Sequence, residues 1–312
     1  MKLSFFKNNL FRYISLFLII LFFYYKILNK KKVIDVKSSQ YILYENFPSL
    51  YVEPRNIEVW LPSQYNSNKR LSVLYMFDGQ NIFHGKEGWI NNSYNHGWQI
   101  DETLDSITFA DKSNSMIVVG IFNTGLKRFS EYMPSKPIEL FKKNNSNQEE
   151  WENRGLEKYG STSDSLLKFI VFELKPFIDK TFETKADRIN TFISGSSMGG
   201  LISSYALCEY PDIFGTAACL STHWPALNGI YIEYLKENLP SPGKNKFYFD
   251  YGTEGLDSNY ESFQTMVDSL LLQKGYIMNE NWVTRKFKDH DHHEKYWKSR
   301  LKYPINFMQN KF

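Results

Sequence analysis

The sequence predicts an α/β fold with a mostly parallel central sheet, helices on both faces and a hydrophobic segment at the N-terminus. After Val33, apolar strand-like runs alternate with amphipathic helical stretches, and several of those runs are apolar throughout. This alternation is typical of parallel sheets, whose central strands are covered on both faces. With 312 residues, of which 42% are hydrophobic, the chain is long enough for one large domain.

The expected strands fall into two groups. Segments 41–44 and 56–61 alternate apolar and polar residues, as antiparallel edge strands do. Central strands are expected at the apolar runs 73–77, 116–122, 191–193, 216–220 and 247–251, with another strand at 282–287. Helices are expected at 163–181 with a kink at Pro176, after Ser197, at 260–273 and at 294–308. The largely polar stretch 138–160 is expected to be an insertion or a flap.

Residues 1–32 are expected to form a signal anchor or a signal peptide ahead of the main domain, 33–312. Basic residues flank an apolar run at 13–25 on both sides, and segment 13–28 spans a membrane if the flanking charges snorkel. Large aromatics and lysines occupy the region where a small-residue cleavage site would follow. An uncleaved anchor is therefore preferred to a cleaved signal peptide, and the protein is expected to be periplasmic or extracellular.

The charge balance argues against a nucleic-acid partner. The chain has 37 Lys and Arg against 34 Asp and Glu, but seven of the basic residues lie in 1–32, which contains no acid. The rest therefore has 30 basic against 34 acidic side chains, a net charge of −4. Cys208 and Cys219 are too few for a disulfide framework or a zinc cluster and are expected to be buried free thiols. No cofactor and no metal site are predicted.

The most informative stretch is the run Ile-Ser-Gly-Ser-Ser-Met-Gly-Gly at 193–200. It follows a strand-like run and precedes a helical pattern, which is the context of a G-x-S-x-G nucleophile elbow in the α/β-hydrolase fold. The spacing selects Ser197 as the nucleophile, with Gly195 and Gly199 leaving room for the crossing backbones. The helix that begins at Met198 would direct that residue's amide at an oxyanion.

A serine nucleophile needs a general base later in the chain. Of the six histidines, His290, His292 and His293 follow a further strand and helix, where the histidine of this fold belongs. Histidine and aspartate also bind zinc, but adjacent residues in a tight loop point in divergent directions. The cluster is therefore interpreted as a catalytic loop.

The acid that orients the histidine is expected after the strand at 247–251. Glu254 and Asp257 are both candidates, and the sequence does not choose between them; Asp250, within the strand, is weaker. A second oxyanion donor is expected from the loop after the strand at 73–77. There Gly79 would let the backbone turn so that the Gln80 amide faces the site.

Several of these motifs together resemble the "Putative esterase" (esterase D-like) family of α/β hydrolases. They are the segments 73–81, 128–134, 195–200, 252–254 and 292–297. The family includes siderophore-ester, feruloyl and acetyl-xylan esterases, S-formylglutathione hydrolase and mycolyltransferases. The resemblance implies that His292 is the catalytic base, with Glu294 and Trp297 following it, and leaves His290 and His293 as lesser candidates.

Residues expected on the substrate side lie at strand or loop ends: Gly79, Trp98, Arg128 and Trp224, with Asp101 and His223 as further candidates. Trp224 could stack on a sugar or an aromatic acyl group, and Arg128 could bind a carboxylate. The alternative for each aromatic residue is packing in the core or at the rim of the site.

Three functions compete at this point. The leading one is a serine carboxylic-ester hydrolase that acts on a small-molecule or carbohydrate ester, such as a carbohydrate-linked acyl ester or a siderophore ester. An acyltransferase would use the same residues, with an alcohol in place of water. A noncatalytic ligand-binding protein would have lost part of the triad. Serine, acid and histidine are all present in the required order, which favours an enzyme.

Overall fold

A computed structural model describes residues 31–36, 39–66, 68–83, 97–110, 115–144 and 156–310. Within these ranges nine strands form one sheet. The strands are β1 Lys31–Val36, β2 Ser39–Phe47, β3 Arg55–Leu61, β4 Ser72–Phe77, β5 Met116–Ile121, β6 Thr191–Ser196, β7 Thr216–Leu220, β8 Lys246–Gly252 and β9 Trp282–Phe287.

The sheet is parallel over two thirds of its width. The strand order is β1-β2-β3-β5-β4-β6-β7-β8-β9. Strands β1, β2 and β3 pair antiparallel at one edge, and β3 pairs antiparallel with β5. From β5 to β9 every pairing is parallel. The predicted antiparallel edge and parallel centre are therefore confirmed, and the carboxyl ends of six strands lie along the same border of the sheet.

The helices lie on both faces of the sheet, as expected. They are α1 Ile100–Ala110, α2 Arg128–Tyr132, α3 Ser135–Asn144, α4 Leu156–Tyr159, α5 Ser163–Phe169, α6 Lys175–Thr181, α7 Met198–Glu209, α8 Ile230–Asn238, α9 Glu261–Lys274, α10 Glu294–Arg300 and α11 Lys302–Met308. Single turns of 3-10 helix include Gly79–Asn81 after β4 and Gly255–Asn259 after β8.

Two layers of apolar side chains cover the sheet because strand residues point alternately to opposite faces. In β4, Val73, Tyr75 and Phe77 belong to the layer that packs under α5 to α9. The intervening Leu74 and Met76 belong to the layer under α1, α10 and α11. This two-sided burial explains why the central strands are apolar throughout.

Two helical segments differ from expectation. The segment 163–181 is continuous, but Ile170–Leu174 between α5 and α6 is a π-helical turn. Pro176 lies in the first turn of α6; it has no N–H to donate and crowds the carbonyl of Phe172 within the π turn. The expected helix at 294–308 is divided at Leu301 into α10 and α11.

Some predictions fall outside the described residues. The proposed anchor at 13–28 and the centre of the proposed flap, 145–155, belong to this group; the flanks of the flap form α3 and α4. Among the residues that the structure does describe, no helix is both long enough and apolar enough to cross a membrane. Cys208 and Cys219 are free thiols, and burial raises the pKa of Cys208 to about 12.

Glu58 in β3 makes the stability of the folded state depend on pH. Burial, together with the nearby Asp101 carboxylate, raises the pKa of Glu58 to about 8. The folded state therefore holds a proton on Glu58 that the unfolded state releases above its ordinary pKa of about 4.5. The contribution of this group to stability is highest below that value and falls as the pH rises toward 8.

We expect Glu58→Gln to remove this loss, because an amide carries no charge at any pH. The midpoint of thermal unfolding should rise by about 3 °C or more at pH 8.5 and change little at pH 5. Scanning calorimetry at both pH values tests this, with Glu237→Gln on the exposed side of α8 as the matched control. Equal shifts at both pH values would contradict the explanation.

Candidate active site

A cavity of about 270 Å³ opens at the carboxyl border of the sheet, beyond β4, β5 and β6. Polar side chains from several loops meet aromatic rings there. The lining residues are Asp78, Asn81, Trp98, Asn123, Arg128, Ser196, Ser197, His292, Glu294 and Trp297. Ligand sites of open α/β sheets are found at this border, so the cavity is the candidate active site.

Ser197 lies at a sharp turn between β6 and α7. Its backbone has φ 57° and ψ −121°, a conformation that L-residues rarely adopt. Two backbone hydrogen bonds hold the turn. The Ser197 N–H donates to the Leu220 carbonyl at 2.9 Å, and the His223 N–H donates to the Ser197 carbonyl at 3.1 Å. The turn places Ser197 in the cavity wall.

Glycine is required where the two arms of this turn cross. A Cβ on Gly195 would lie 2.7 Å from the carbonyl carbon of Gly199, closer than real Cβ contacts allow. The expected role of Gly195 is therefore confirmed. A Cβ on Gly199 would meet only an ordinary contact, 3.4 Å from Asp78. Gly200 is tighter, at 3.0 Å from the Thr222 hydroxyl.

His292 and Asp257 meet at the edge of the cavity. The His292 Nδ1 lies 2.6 Å from the Asp257 Oδ1, and Asp257 is completely buried. Asp257 belongs to the 3-10 turn that follows β8, and His292 belongs to the loop between β9 and α10. The two loops extend from adjacent parallel strands. The His292 ring packs edge-on against Trp297 and Tyr260.

The other two candidate acids are placed differently. Glu254 is exposed, and its carboxylate accepts a hydrogen bond from the neighbouring Thr253 hydroxyl. Asp250 is buried behind the site, where it accepts from the Tyr248 hydroxyl at 3.0 Å and lies 3.1 Å from Arg300. Of the three, the structure brings Asp257 to the histidine.

The remaining histidines of the cluster have other contacts. His290 packs its ring against Phe287 and Tyr296, and its carbonyl accepts the Thr253 and Glu254 amides. His293 is exposed, and its Nδ1 accepts the Lys295 N–H at the start of α10. The three side chains thus point in divergent directions.

The pKa values of the two buried carboxylates behind the site are shifted in opposite directions. Burial disfavours the charged form of Asp257, but hydrogen bonds from His292, Ser221 and the Gly252 N–H outweigh it and hold the pKa below its ordinary value. For Asp250, burial outweighs the nearby Arg300 cation and raises the pKa to about 6. Asp257 therefore keeps its charge to a lower pH than Asp250 does.

Arg128 is fixed by a carboxylate rather than left free. Its Nε and Nη2 each donate to Asp78 at 2.7 Å, and Asn123 donates to the same Asp78 at 2.7 Å. Although burial opposes the charge, Asp78 holds the pKa of Arg128 above its ordinary value. A substrate carboxylate would have to compete with Asp78 for Arg128. Glu294, also in the wall, disfavours such an anion further.

The residues expected to form the oxyanion hole lie at the start of α7 and in the turn after β4. Met198 is the first residue of α7, where backbone amides have no partner within the helix. Gln80 lies in the single 3-10 turn after β4, and its side chain accepts the Asn123 N–H at 3.3 Å. Its neighbours Asp78 and Asn81 line the cavity.

Gly79 and Trp224 do not take the substrate-side positions expected of them. A Cβ on Gly79 would lie 2.5 Å from the Gly120 backbone, so Gly79 packs against β5. Trp224 is buried, stacks on Tyr231 of α8 and donates to the Gln264 side chain at 2.8 Å. Both residues belong to the core.

The other substrate-side candidates divide in the same way. Trp98 lines the cavity and packs against Trp297. Asp101 is buried and accepts a hydrogen bond from the Tyr41 hydroxyl at 2.5 Å. His223 bonds the Tyr260 hydroxyl through its ring nitrogen at 2.7 Å, and its backbone N–H donates to the Ser197 carbonyl.

Sequence reasoning missed several residues of the site. Asn81, Asn123 and Ser196 line the cavity, and Ser221 and Arg300 contact the buried acid. Asn81 and Asn123 follow expected strand ends, which is the one signal that could have identified them. In the sequence, Arg300 resembles any charged residue of an amphipathic helix, so no local pattern marks it as part of the site.

Comparison with known proteins agrees with this geometry. The family model described as "Putative esterase" matches residues 51–304. The chain belongs to this family. It is therefore a carboxylic-ester hydrolase by class, and the predicted resemblance and α/β-hydrolase fold are confirmed.

Individual relatives are more distant. An endo-1,4-β-xylanase/feruloyl esterase of Xylanibacter ruminicola is 31% identical over 116 residues, which is 34% of this chain and 15% of that protein's length. The structure of a ferulic acid esterase superposes with a TM-score of 0.62 at 16% identity, covering 88% of this chain and 100% of that one. The enterobactin esterase of Shigella flexneri also gives 0.62, at 14% identity over 90% of this chain and 62% of that one. At these identities the two solved structures establish the fold.

The geometry predicts different outcomes for the two candidate acids. Asp257→Asn should lower kcat by ~10³-fold or more, because an amide cannot hold the His292 tautomer or stabilise its imidazolium form. Glu254→Gln, the matched control, should change kcat less than about threefold because Glu254 is exposed. Steady-state kinetics on an activated ester measures both. A large loss in Glu254→Gln with near-normal Asp257→Asn would reverse the assignment.

Proposed function

We propose that the protein hydrolyses a carboxylic ester through a Ser197–His292–Asp257 triad and an acyl-enzyme intermediate. The single observation that carries the proposal is the 2.6 Å contact between His292 and a buried, ionised Asp257 beside a cavity that Ser197 also lines. A strained serine and an acid-held imidazole base in one wall are the parts that nucleophilic acyl transfer needs.

In the proposed reaction the His292 Nε2 accepts the proton of the Ser197 hydroxyl as its oxygen attacks the ester carbonyl. The Nδ1 proton stays on the hydrogen bond to Asp257, whose charge stabilises the imidazolium that forms. His292 then returns the proton to the departing alcohol. Water, activated by the same imidazole, hydrolyses the acyl-enzyme and restores Ser197.

The amides of Met198 and Gln80 are the proposed oxyanion donors. Met198 starts α7, so the positive end of the helix dipole adds to its N–H at the place where negative charge develops. Gln80 is held on the other side by the turn after β4 and by its side-chain bond to Asn123.

The cavity favours a neutral substrate rich in hydroxyl groups. Two carboxylates, Asp78 and Glu294, share its wall with the single cation Arg128 among the described lining residues, and Asn81 and Asn123 add amides. Trp98 and Trp297 add nearly buried aromatic rings to the wall, and the amides and carboxylates suit substrate hydroxyl groups. These features support a carbohydrate-linked acyl ester or a catecholate-type ester over a substrate that carries a free carboxylate.

For the cellular location, the proposal retains export with segment 13–28 as a membrane anchor, based on its basic-apolar-basic sequence. Carbonate extraction of membranes, with the chain truncated before residue 33 as the control, tests the anchor. Release of the full-length protein by carbonate would contradict it.

We expect Ser197→Ala to lower ester hydrolysis by ~10⁴-fold or more while the fold is retained. A fluorophosphonate probe should label the wild-type protein at Ser197 and leave Ser197→Ala unlabelled. Ser194→Ala, a buried serine within β6, is the matched control and should keep both labelling and turnover. p-Nitrophenyl acetate, methyl ferulate, an acetylated xylooligosaccharide and a catecholate ester are the substrates.

The result that would overturn the proposal is near-wild-type turnover by folded Ser197→Ala. In the wild type, kcat/KM should rise with pH along an ascending limb as the catalytic base loses its proton. His292→Gln should abolish that limb, whereas His290→Gln and His293→Gln should keep it and lose roughly tenfold or less.

A further inference from the structure

Ser221 occupies a crowded position behind the proposed triad. It follows β7 directly, is completely buried and has a φ of 41°, in the left-handed region. Its hydroxyl oxygen lies 2.5 Å from the Asp257 Oδ2, 3.0 Å from the Trp297 Nε1 and 2.5 Å from the Arg300 Nη2. Three polar groups from two other elements, the 3-10 turn after β8 and helix α10, thus meet at one hydroxyl.

The direction of each hydrogen bond follows from the chemistry of the partners. The indole of Trp297 and the guanidinium of Arg300 can only donate. Both lone pairs of the Ser221 oxygen are therefore occupied as acceptors. The single Ser221 proton is left for Asp257, whose carboxylate can only accept while it is ionised.

The orientation of Ser221 determines the state of the acid. The Asp257 Oδ2 accepts the Ser221 O–H and the Gly252 N–H, which lies at 2.7 Å. The other oxygen, Oδ1, faces the His292 Nδ1. With every partner of the carboxylate donating, Asp257 binds as the anion and the imidazole proton belongs on Nδ1. The His292 Nε2 is then the unprotonated atom, as a general base requires.

Arg300 supplies the charge that lets this arrangement exist without water. It is fully buried, 3.1 Å from the Asp250 Oδ1 and 3.7 Å from the Asp257 Oδ2. One cation therefore serves two buried carboxylates while it also donates to Ser221. A buried ion of either sign is costly without such partners.

We propose that Ser221 is a positioning residue: held by Trp297 and Arg300, it aims its proton at Asp257 and thereby sets the tautomer and the basicity of His292. This proposal rests on the proposed function, because it assigns Ser221 a role through the triad. It predicts that a Ser221 variant changes the pH dependence of kcat/KM, in addition to any change in the stability of the fold.

The charged and titratable groups around His292 come from several elements. Those that line the cavity or lie behind the imidazole are Asp78, Arg128, Asp250, Asp257, Tyr260, His290, Glu294 and Arg300. Ser221→Ala removes none of these charges. A shift of the His292 titration in this variant is therefore attributable to the lost hydrogen bond.

The test measures kcat/KM from pH 5 to 9 for the wild type and Ser221→Ala. Without the Ser221 donor, the Asp257 charge is less satisfied and binds the imidazolium form of His292 more strongly. We expect the ascending limb to move up by ~0.5 to 1 unit, with kcat/KM falling roughly threefold to tenfold more at pH 6 than at pH 9.

Two further variants separate this role from a structural one. Ser204→Ala removes another fully buried hydroxyl, which accepts from the Tyr231 hydroxyl at 2.9 Å in the core, and should leave the limb in place. Trp297→Phe keeps a ring beside His292 but removes the N–H donor to Ser221, and should move the limb in the same direction by less. If Ser221→Ala does not fold, the pH dependence of kcat/KM in Trp297→Phe tests the proposal instead.

The outcomes distinguish the two proposals. If the wild type resists the fluorophosphonate at Ser197 and shows no ascending limb, the proposed function fails. If the wild type is labelled and has the limb, but folded Ser221→Ala has the same limb within about 0.2 units, the role of Ser221 alone is overturned. An equal shift in Ser204→Ala would also overturn it.

Discussion

The turn at Ser197 is the constraint on which the rest of the site depends. Its strained backbone persists because β7 is bonded to it from one side and Gly195 admits the crossing chain from the other. Strand β7 lies between β6 and β8 in a parallel sheet, so the loops that follow β7, β8 and β9 all emerge beside the serine. Asp257 and His292 therefore reach the cavity from strands that are distant in sequence and adjacent in space.

Two polar side chains of the site are held by carboxylates before any substrate arrives. Arg128 is bound by Asp78, and His292 by Asp257. Such preorganisation means that little rearrangement of dipoles is needed when charge develops on an ester oxygen. It also limits what the cavity accepts, because a charged substrate group would have to displace an existing partner.

The fold and the sharp turn at Ser197 were predictable because their signals are local. Alternation of apolar and polar residues marked the edge strands, and the glycine spacing around Ser197 marked the elbow. The acid was not predictable in this way. Glu254 and Asp257 stand three residues apart after the same strand, and the 3-10 turn Gly255–Asn259 buries Asp257 while Glu254 stays exposed. That choice depends on where the loop after β9 passes, since the His290 carbonyl accepts the Glu254 amide.

The placement of Gly79 and Trp224 away from the cavity lining and the omission of Ser221 have the same physical origin. A residue at a strand end faces either the cavity or a neighbouring element, and the decision rests on partners far along the chain. Trp224 faces Tyr231 and Gln264 in the core, whereas Trp297, from a helix 70 residues later, faces the cavity.

Trp297 shows why such residues matter together. Trp297 lines the cavity, and its ring packs edge-on against His292 with 5.0 Å between the ring centroids. Its indole N–H donates to Ser221. A group that fills the cavity and displaces this indole would disturb the imidazole and the hydrogen bonds of the buried acid at once. Under the proposed function, Trp297 would therefore link binding of substrate to the His292 imidazole, over contacts that no local sequence pattern encodes.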